Sequence, residues 1–191
     1  MCLDSESTVL DCKQDLNFGS FQFCEAGSDG TFACLEEGLF YSDDLDPTSI
    51  EVLRKYVCNA NRKRPGIKVS KLKLYSRSDF VERVMYVAIQ AGAGICAYNL
   101  PFDLSRIAVE YRVAHGAGKR GWSLVLVRCC DKGKGKWLPN TYRPRVQLRP
   151  KDAKGEFLRL ASGDQDQPFR SGRFLDLKTL AWALRNISFS L

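Results

Sequence analysis

Residues 17–43 hold two runs rich in aromatic and apolar side chains, NFGSFQFCEAG and TFACLEEGLFYSD, separated by Ser28-Asp29-Gly30. Asp-Gly between strand-like runs is a turn signal, so this stretch reads as an antiparallel hairpin. The rest of the chain limits the fold further. Segments of helical length separate several later strand-like runs, and a parallel pairing needs a crossover of that size. Together these features point to an α/β fold in which a mixed central β-sheet is flanked by helices.

The helices and strands can be placed from their boundaries. Thr48 to Asn59 reads as a helix, with Pro47 just before it and capping-box spacing from Thr48 to Glu51. A second, Asp79 to Gln90, has the same spacing from Asp79 to Glu82, and Gly92 and Gly94 end it. Between them lies the basic linker NRKRPGIKVSKLKLYSRS. GICAYN reads as a buried strand, and Leu104 to Ala114 as a helix with an apolar stripe at Leu104, Ile107, Ala108 and Tyr111, closed by Gly116. WSLVLVRCC, RPRVQLRP and GEFLRLAS read as three strands of a basic β insertion, before RFLDLKTLAWAL closes the chain as a strand leading into a helix. MCLDSES is short for a strand and is expected to be one that is clipped, if the chain begins there. No repeat or boundary interrupts this order, so one domain over residues 1–191 is expected.

No apolar run approaches the ~20 residues of a membrane-spanning helix, and the N-terminus lacks the pattern of a secretory signal. An intracellular location, cytoplasmic or with the nucleic acid, is expected, and no membrane partner. The eight cysteines are scattered, none forms a C-x-x-C pair, and His115 is the only histidine. Reduced thiols are therefore expected rather than zinc ligation. The net charge of +7 is unevenly spread. Residues 1–59 carry twelve acids and three bases, 61–77 carry seven bases and no acid, and 119–159 carry twelve bases and three acids. That asymmetry suits either a solvated basic surface or a protein that holds cations at one place and phosphates around it.

Two carboxylates bear on the choice. Asp4 and Glu6 stand two residues apart, a spacing that on a strand sends both side chains to one face. Like charges there suit an exposed acidic strand edge or a divalent cation that neutralises them. Asp103 lies where a strand-like run gives way to a helical one, in YNLPFDLSRIA. It reads as a helix cap, or as a third carboxylate if the strand before it lies beside that of Leu3.

LDSES resembles the first motif of the DEDD superfamily of 3′-to-5′ exonucleases, the ribonuclease H-like proofreading nucleases. AYNLPFDL resembles the second, an Asn followed after three residues by an Asp that an aromatic precedes. FLDLKTLAWAL is similar to the segment in which an Asp ends the fifth strand, and the resemblance runs from residue 3 to about 185. It implies a ribonuclease H-like fold and two magnesium or manganese ions. Asp4 would bridge both ions, Glu6 would ligate one, and Asp103 would bind the other, partly through water. Asn99 and Phe102 would contact the substrate strand, Asn99 there or as a brace of its loop. Asp176 matches a supporting position. The implied substrate is a single-stranded 3′ end, DNA ahead of RNA, with a polymerase domain or subunit as partner.

The family's third motif, a Tyr or His followed four or five residues later by an acid, has no counterpart, because no acid follows Asp176. His115 precedes the fifth strand and reads as a helix C-terminal residue. A C-terminally incomplete exonuclease domain is therefore expected. A non-catalytic nucleic-acid-binding module on the same scaffold, or a structural segment of a polymerase, is the alternative. Tyr75, Trp122, Trp137 and Tyr142, interleaved with the basic stretches, suit base stacking and core packing equally.

Overall fold

The computed structural model describes residues 1–8, 14–63, 71–114, 121–131, 133, 135–140, 143–152, 155–162, 167–168 and 173–185. The fold is α/β, with a mixed sheet and flanking helices, and the chain divides into two compact units, 1–88 and 89–191. Among the described residues no helix is long and apolar enough to cross a membrane.

In the first unit, strands β1 (Cys2–Ser7), β2 (Leu16–Ala26), β3 (Phe32–Tyr41) and β4 (Lys73–Ser76) lie side by side in that order. The β2–β3 hairpin predicted from the Asp-Gly turn is present: Gly30 adopts φ 81°, and Asp29 accepts from the backbone N–H of Thr31 at 3.0 Å. β1 and β3 are antiparallel to β2, whereas β4 is parallel to β3 and reached through helix α1 (Pro47–Arg62). The basic linker thus contains a strand, and the alternation of lysine and leucine in KLKL is the period of two that a half-buried strand shows.

Two glycines shape the apolar face of this sheet. Gly19 pairs across the strands with Phe40, and Gly38 with Phe21. A Cβ on Gly19 would lie 2.3 Å from the Phe40 ring, and one on Gly38 would lie 2.7 Å from the Phe21 ring. Each phenylalanine therefore lies flat over its partner's missing side chain. Phe80 completes the cluster, with ring centroids 4.1 Å from Phe40 in a stacked arrangement and 5.1 Å from Phe21. Phe40 and Phe80 are fully buried.

Both predicted capping boxes are displaced. Helix α1 is capped by Asp46, which accepts from the backbone N–H groups of Thr48 and Ser49 at 2.9 and 3.0 Å, while Pro47 occupies the first turn, where no N–H is needed. The second helical segment starts two residues earlier than expected, as α2 (Arg77–Phe80), with Ser76 accepting from the N–H of Asp79 at 3.1 Å. It widens into a π turn at Val81–Met85 and closes as α3 (Tyr86–Gln90).

In the second unit, β5 (Gly94–Ala97) runs parallel to β13 (Arg173–Asp176), and each is followed by a helix, α4 (Leu100–Ile107) and α5 (Leu177–Arg185). Between α4 and β13 in the chain comes the basic β insertion. It forms an antiparallel five-stranded sheet of β6 (Glu110–Val113), β7 (Trp122–Val125), β10 (Arg145–Asp152), β11 (Gly155–Ser162) and β12 (Gln167–Pro168), ordered β12-β11-β10-β7-β6. A hairpin of β8 (Arg128–Asp131) and β9 (Lys136–Pro139) completes it. The helix expected over Leu104–Ala114 is corrected: α4 starts at Leu100 and ends at Ile107, and Glu110–Val113 pair with β7. The apolar stripe continues past the helix because Tyr111 is apolar at helical spacing from Ile107 and Ala108 and serves a strand as well.

Candidate functional site

β1 alternates strictly. Cys2, Asp4 and Glu6 are exposed, while Met1, Leu3 and Ser5 are buried. Asp4 faces Ser20 across the pair with β2, and Glu6 faces Phe18. The two carboxylates thus leave one face of one strand, as their spacing implies, with Cα atoms roughly 6–7 Å apart.

The same face carries a third carboxylate that sequence reading missed. Cys2 pairs with Gln22, and Gln22 with Glu37 on β3. Cross-strand partners point to the same side, so Glu37 belongs with Asp4. Glu37 is 7% exposed, and Gln22 donates to it from Nε2 at 3.4 Å. A cleft of about 260 Å³ opens here, lined by Asp4, Ser20, Gln22, Glu37, Cys2 and Leu72 among others. The available signal was the register of the hairpin, which decides which member of Glu36-Glu37 faces the cleft. Glu36 points away to accept from Lys73 Nζ and the Tyr75 hydroxyl, both at 2.8 Å. Burial, then the hydrogen bond to Glu36, push the Tyr75 phenol above its ordinary range.

In the second unit the residues after β5 are held by those after β13. Asp176 accepts from the backbone N–H of Leu100 at 3.0 Å through one oxygen, and from the N–H and hydroxyl of Thr179 through the other. Tyr98 accepts from the N–H of Lys178 at 2.8 Å. The carboxyl ends of two parallel strands are the usual ligand edge of an α/β sheet, and here one aspartate anchors both of the helices that leave it.

Asp103 lies inside the first turn of α4, 3% exposed, with its N–H donating to the carbonyl of Asn99 at 3.1 Å. It is not the cap. Asn99 holds the cap position, with φ −130° and ψ 63°, and its side chain makes no capping bond. Phe102 is half-buried beneath Arg106, whose guanidinium carbon lies 4.8 Å from the ring centroid.

Carboxylate oxygens from a strand face suit magnesium or manganese by donor type. Among the described residues, no group of three or more His, Cys, Asp or Glu side chains is arranged to hold a metal ion. No disulfide joins the seven described cysteines.

The candidate stacking residues divide. Tyr75 packs on Phe21, with centroids 6.0 Å apart, whereas Trp122 and Trp137 are 53% and 67% exposed. Tyr142, His115 and residues 64–70 of the basic stretch lie outside the described residues. No protein-family model matches the chain, and neither a curated protein nor a solved structure matches it.

Proposed function

We propose that this chain is a divalent-metal-dependent 3′-to-5′ exonuclease of the DEDD, ribonuclease H-like type, hydrolysing phosphodiester bonds at the 3′ end of single-stranded nucleic acid, DNA ahead of RNA. The observation that carries the proposal is the exposed pair Asp4 and Glu6 on one face of β1, with a cleft of about 260 Å³ beside Asp4. Two anionic side chains aimed the same way repel each other, and a divalent cation between them offsets that repulsion.

Asp4, Glu6 and Asp103 are the residues that would hold two magnesium or manganese ions. Bound ions of this kind lower the pKa of water and stabilise charge on a leaving oxygen. The chain's own side chains supply the fixed negative charge that selects and orients such ions. Asn99 and Phe102, at the start of α4, would meet the substrate strand, with Phe102 offering a ring face and the adjacent Arg106 a cation for a phosphate. Asp176 acts one step back, by fixing the first turn of α4. A polymerase domain or subunit is the proposed partner.

Trp122 and Trp137, exposed within the basic β insertion, favour a second reading, a non-catalytic module that binds single strands by stacking and charge. The test is hydrolysis of a 3′-labelled single strand in manganese by the chain and by Asp4→Ala. Hydrolysis lost in Asp4→Ala supports the exonuclease. Equal hydrolysis in both eliminates it, and strand binding without hydrolysis in either selects the second reading.

A further inference from the structure

Cys24 and Cys34 face each other directly across the β2–β3 hairpin, and both are half-buried free thiols. The turn decides which kind of pair they form. Gly27 donates its N–H to the Thr31 carbonyl at 2.8 Å. Hydrogen-bonded and non-hydrogen-bonded pairs alternate along an antiparallel ladder, so counting back from that bond through Ala26–Phe32 and Glu25–Ala33 makes Cys24–Cys34 a non-hydrogen-bonded pair. The register shift of the hairpin lies beyond them, between Phe23 and Cys24, and leaves the count uninterrupted. Directly paired residues have Cα atoms roughly 4.5–5.5 Å apart, inside the range of about 4.4–6.8 Å that a disulfide spans, and side chains of non-hydrogen-bonded pairs stand closest.

The surroundings leave this pair open to solvent and give it no near competitor. Glu25, Phe32 and Ala33 beside it are exposed, so a small solute reaches the thiols. Cys34 Sγ donates to the Glu36 carbonyl at 3.6 Å, and a thiol is a weak donor that little opposes rotation toward Cys24. Cys2 pairs with Gln22, two residues from Cys24. That diagonal places their Cα atoms roughly 7–8 Å apart, beyond the reach of about 7 Å at which a bridge forms without backbone movement.

We propose that Cys24 and Cys34 are a redox modification site at which a peroxide forms a disulfide across the hairpin. One thiolate attacks a peroxide oxygen, the O–O bond breaks, the departing hydroxide takes up a proton as water, and a sulfenic acid forms. The second thiol then attacks that sulfur and displaces its oxygen as a second water. The two thiols give up two electrons and two protons, and hydrogen peroxide is reduced to two waters. The link joins the strands two residues from Gln22, which donates to Glu37 beside the Asp4 cleft. No carboxylate of the proposed metal site takes part, so the test is run without metal and its failure leaves the exonuclease reading untouched.

The full chain is treated with hydrogen peroxide, its remaining thiols are alkylated, and its peptides are weighed. Trypsin releases residues 14–54 as one peptide, in which Cys24 and Cys34 are the only cysteines. This peptide is expected to lose two hydrogens and take no alkyl group, to stay joined when cut after Glu25, and to take two alkyl groups after dithiothreitol. Closing the loop constrains the unfolded chain, so peroxide is expected to raise the melting temperature by about 3 °C or more. Cys24→Ser is expected to abolish that rise and Cys2→Ser to keep it; Cys34→Ser replaces Cys24→Ser if the latter fails to fold. The proposal is overturned if both cysteines are still alkylated at a peroxide level that has oxidised the exposed Cys58. It is also overturned if either links to another cysteine, or if the rise persists in a folded Cys24→Ser or Cys34→Ser.

Discussion

The carboxylate of Asp176 accepts the backbone N–H of Leu100 at 3.0 Å, so one side chain at the end of β13 closes the first turn of a helix that begins 76 residues earlier. Its other oxygen caps α5 through Thr179. Asp176→Ala removes an acceptor from two helix N-termini together and is expected to destabilise the fold by roughly 1–3 kcal/mol. Asp176→Asn keeps one acceptor oxygen and is expected to lose about half as much. Chemical denaturation of the three proteins makes the comparison. If Asp176 positions α4, Asp176→Asn should also lower any hydrolytic kcat more than it raises KM.

Asp43 ties the end of β3 to the start of α2. It accepts from the N–H and hydroxyl of Ser78 at 3.0 and 2.6 Å and pairs with Arg77 at 2.7 Å. Burial raises the Asp43 carboxyl, but the Ser78 bonds and the Arg77 charge outweigh it and hold the group below its ordinary value of 3.8. A depressed folded value contributes stability that is present above the unfolded value and disappears as pH falls through the folded one. The difference in melting temperature between the parent and Asp43→Asn is therefore expected to be constant from neutral pH to about pH 4 and to shrink below it. A difference that stays level down to pH 2 removes the charge from the explanation.

The phenylalanine cluster allows little change in volume. Phe80→Ala empties a fully buried position against Phe40 and Phe21 and is expected to cost about 3–5 kcal/mol. Gly19→Ala errs in the other direction. Its Cβ would meet the Phe40 ring at 2.3 Å and the Asp4 carbonyl at 2.5 Å, and overpacking of that kind costs roughly 1–3 kcal/mol. The double variant Gly19→Ala with Phe40→Leu is expected to recover part of the Gly19 loss, because the clashing ring is gone. Equilibrium unfolding in urea reads all three.

Much of the backbone was legible because its signals are local. The turn at Asp29-Gly30, the alternation from Leu3 to Glu6 and the strand-to-helix step at Asp176 each depend on a few neighbouring residues. The failures came where two patterns overlap. Thr48 and Asp79 have the spacing of caps, yet Asp46 and Ser76, each two or three residues earlier, hold the extended backbone that a cap needs. Tyr111 extends a helical stripe in the sequence but pairs as a strand residue with Leu124. At the candidate site, Asp4 and Glu6 followed from a period of two. Glu37 did not, since its place beside the Asp4 cleft depends on the register of two strand pairs.

Manganese bound by the full chain can be counted directly from the paramagnetic signal of the free ion, titrated into the parent, Asp4→Asn and Glu6→Gln. Both substitutions keep shape and remove one charge, so folding is little disturbed. The expected result is saturable binding by the parent that weakens at least tenfold in Asp4→Asn and in Glu6→Gln. Equal binding by all three proteins, or none by the parent, would contradict a metal site on the exposed face of β1.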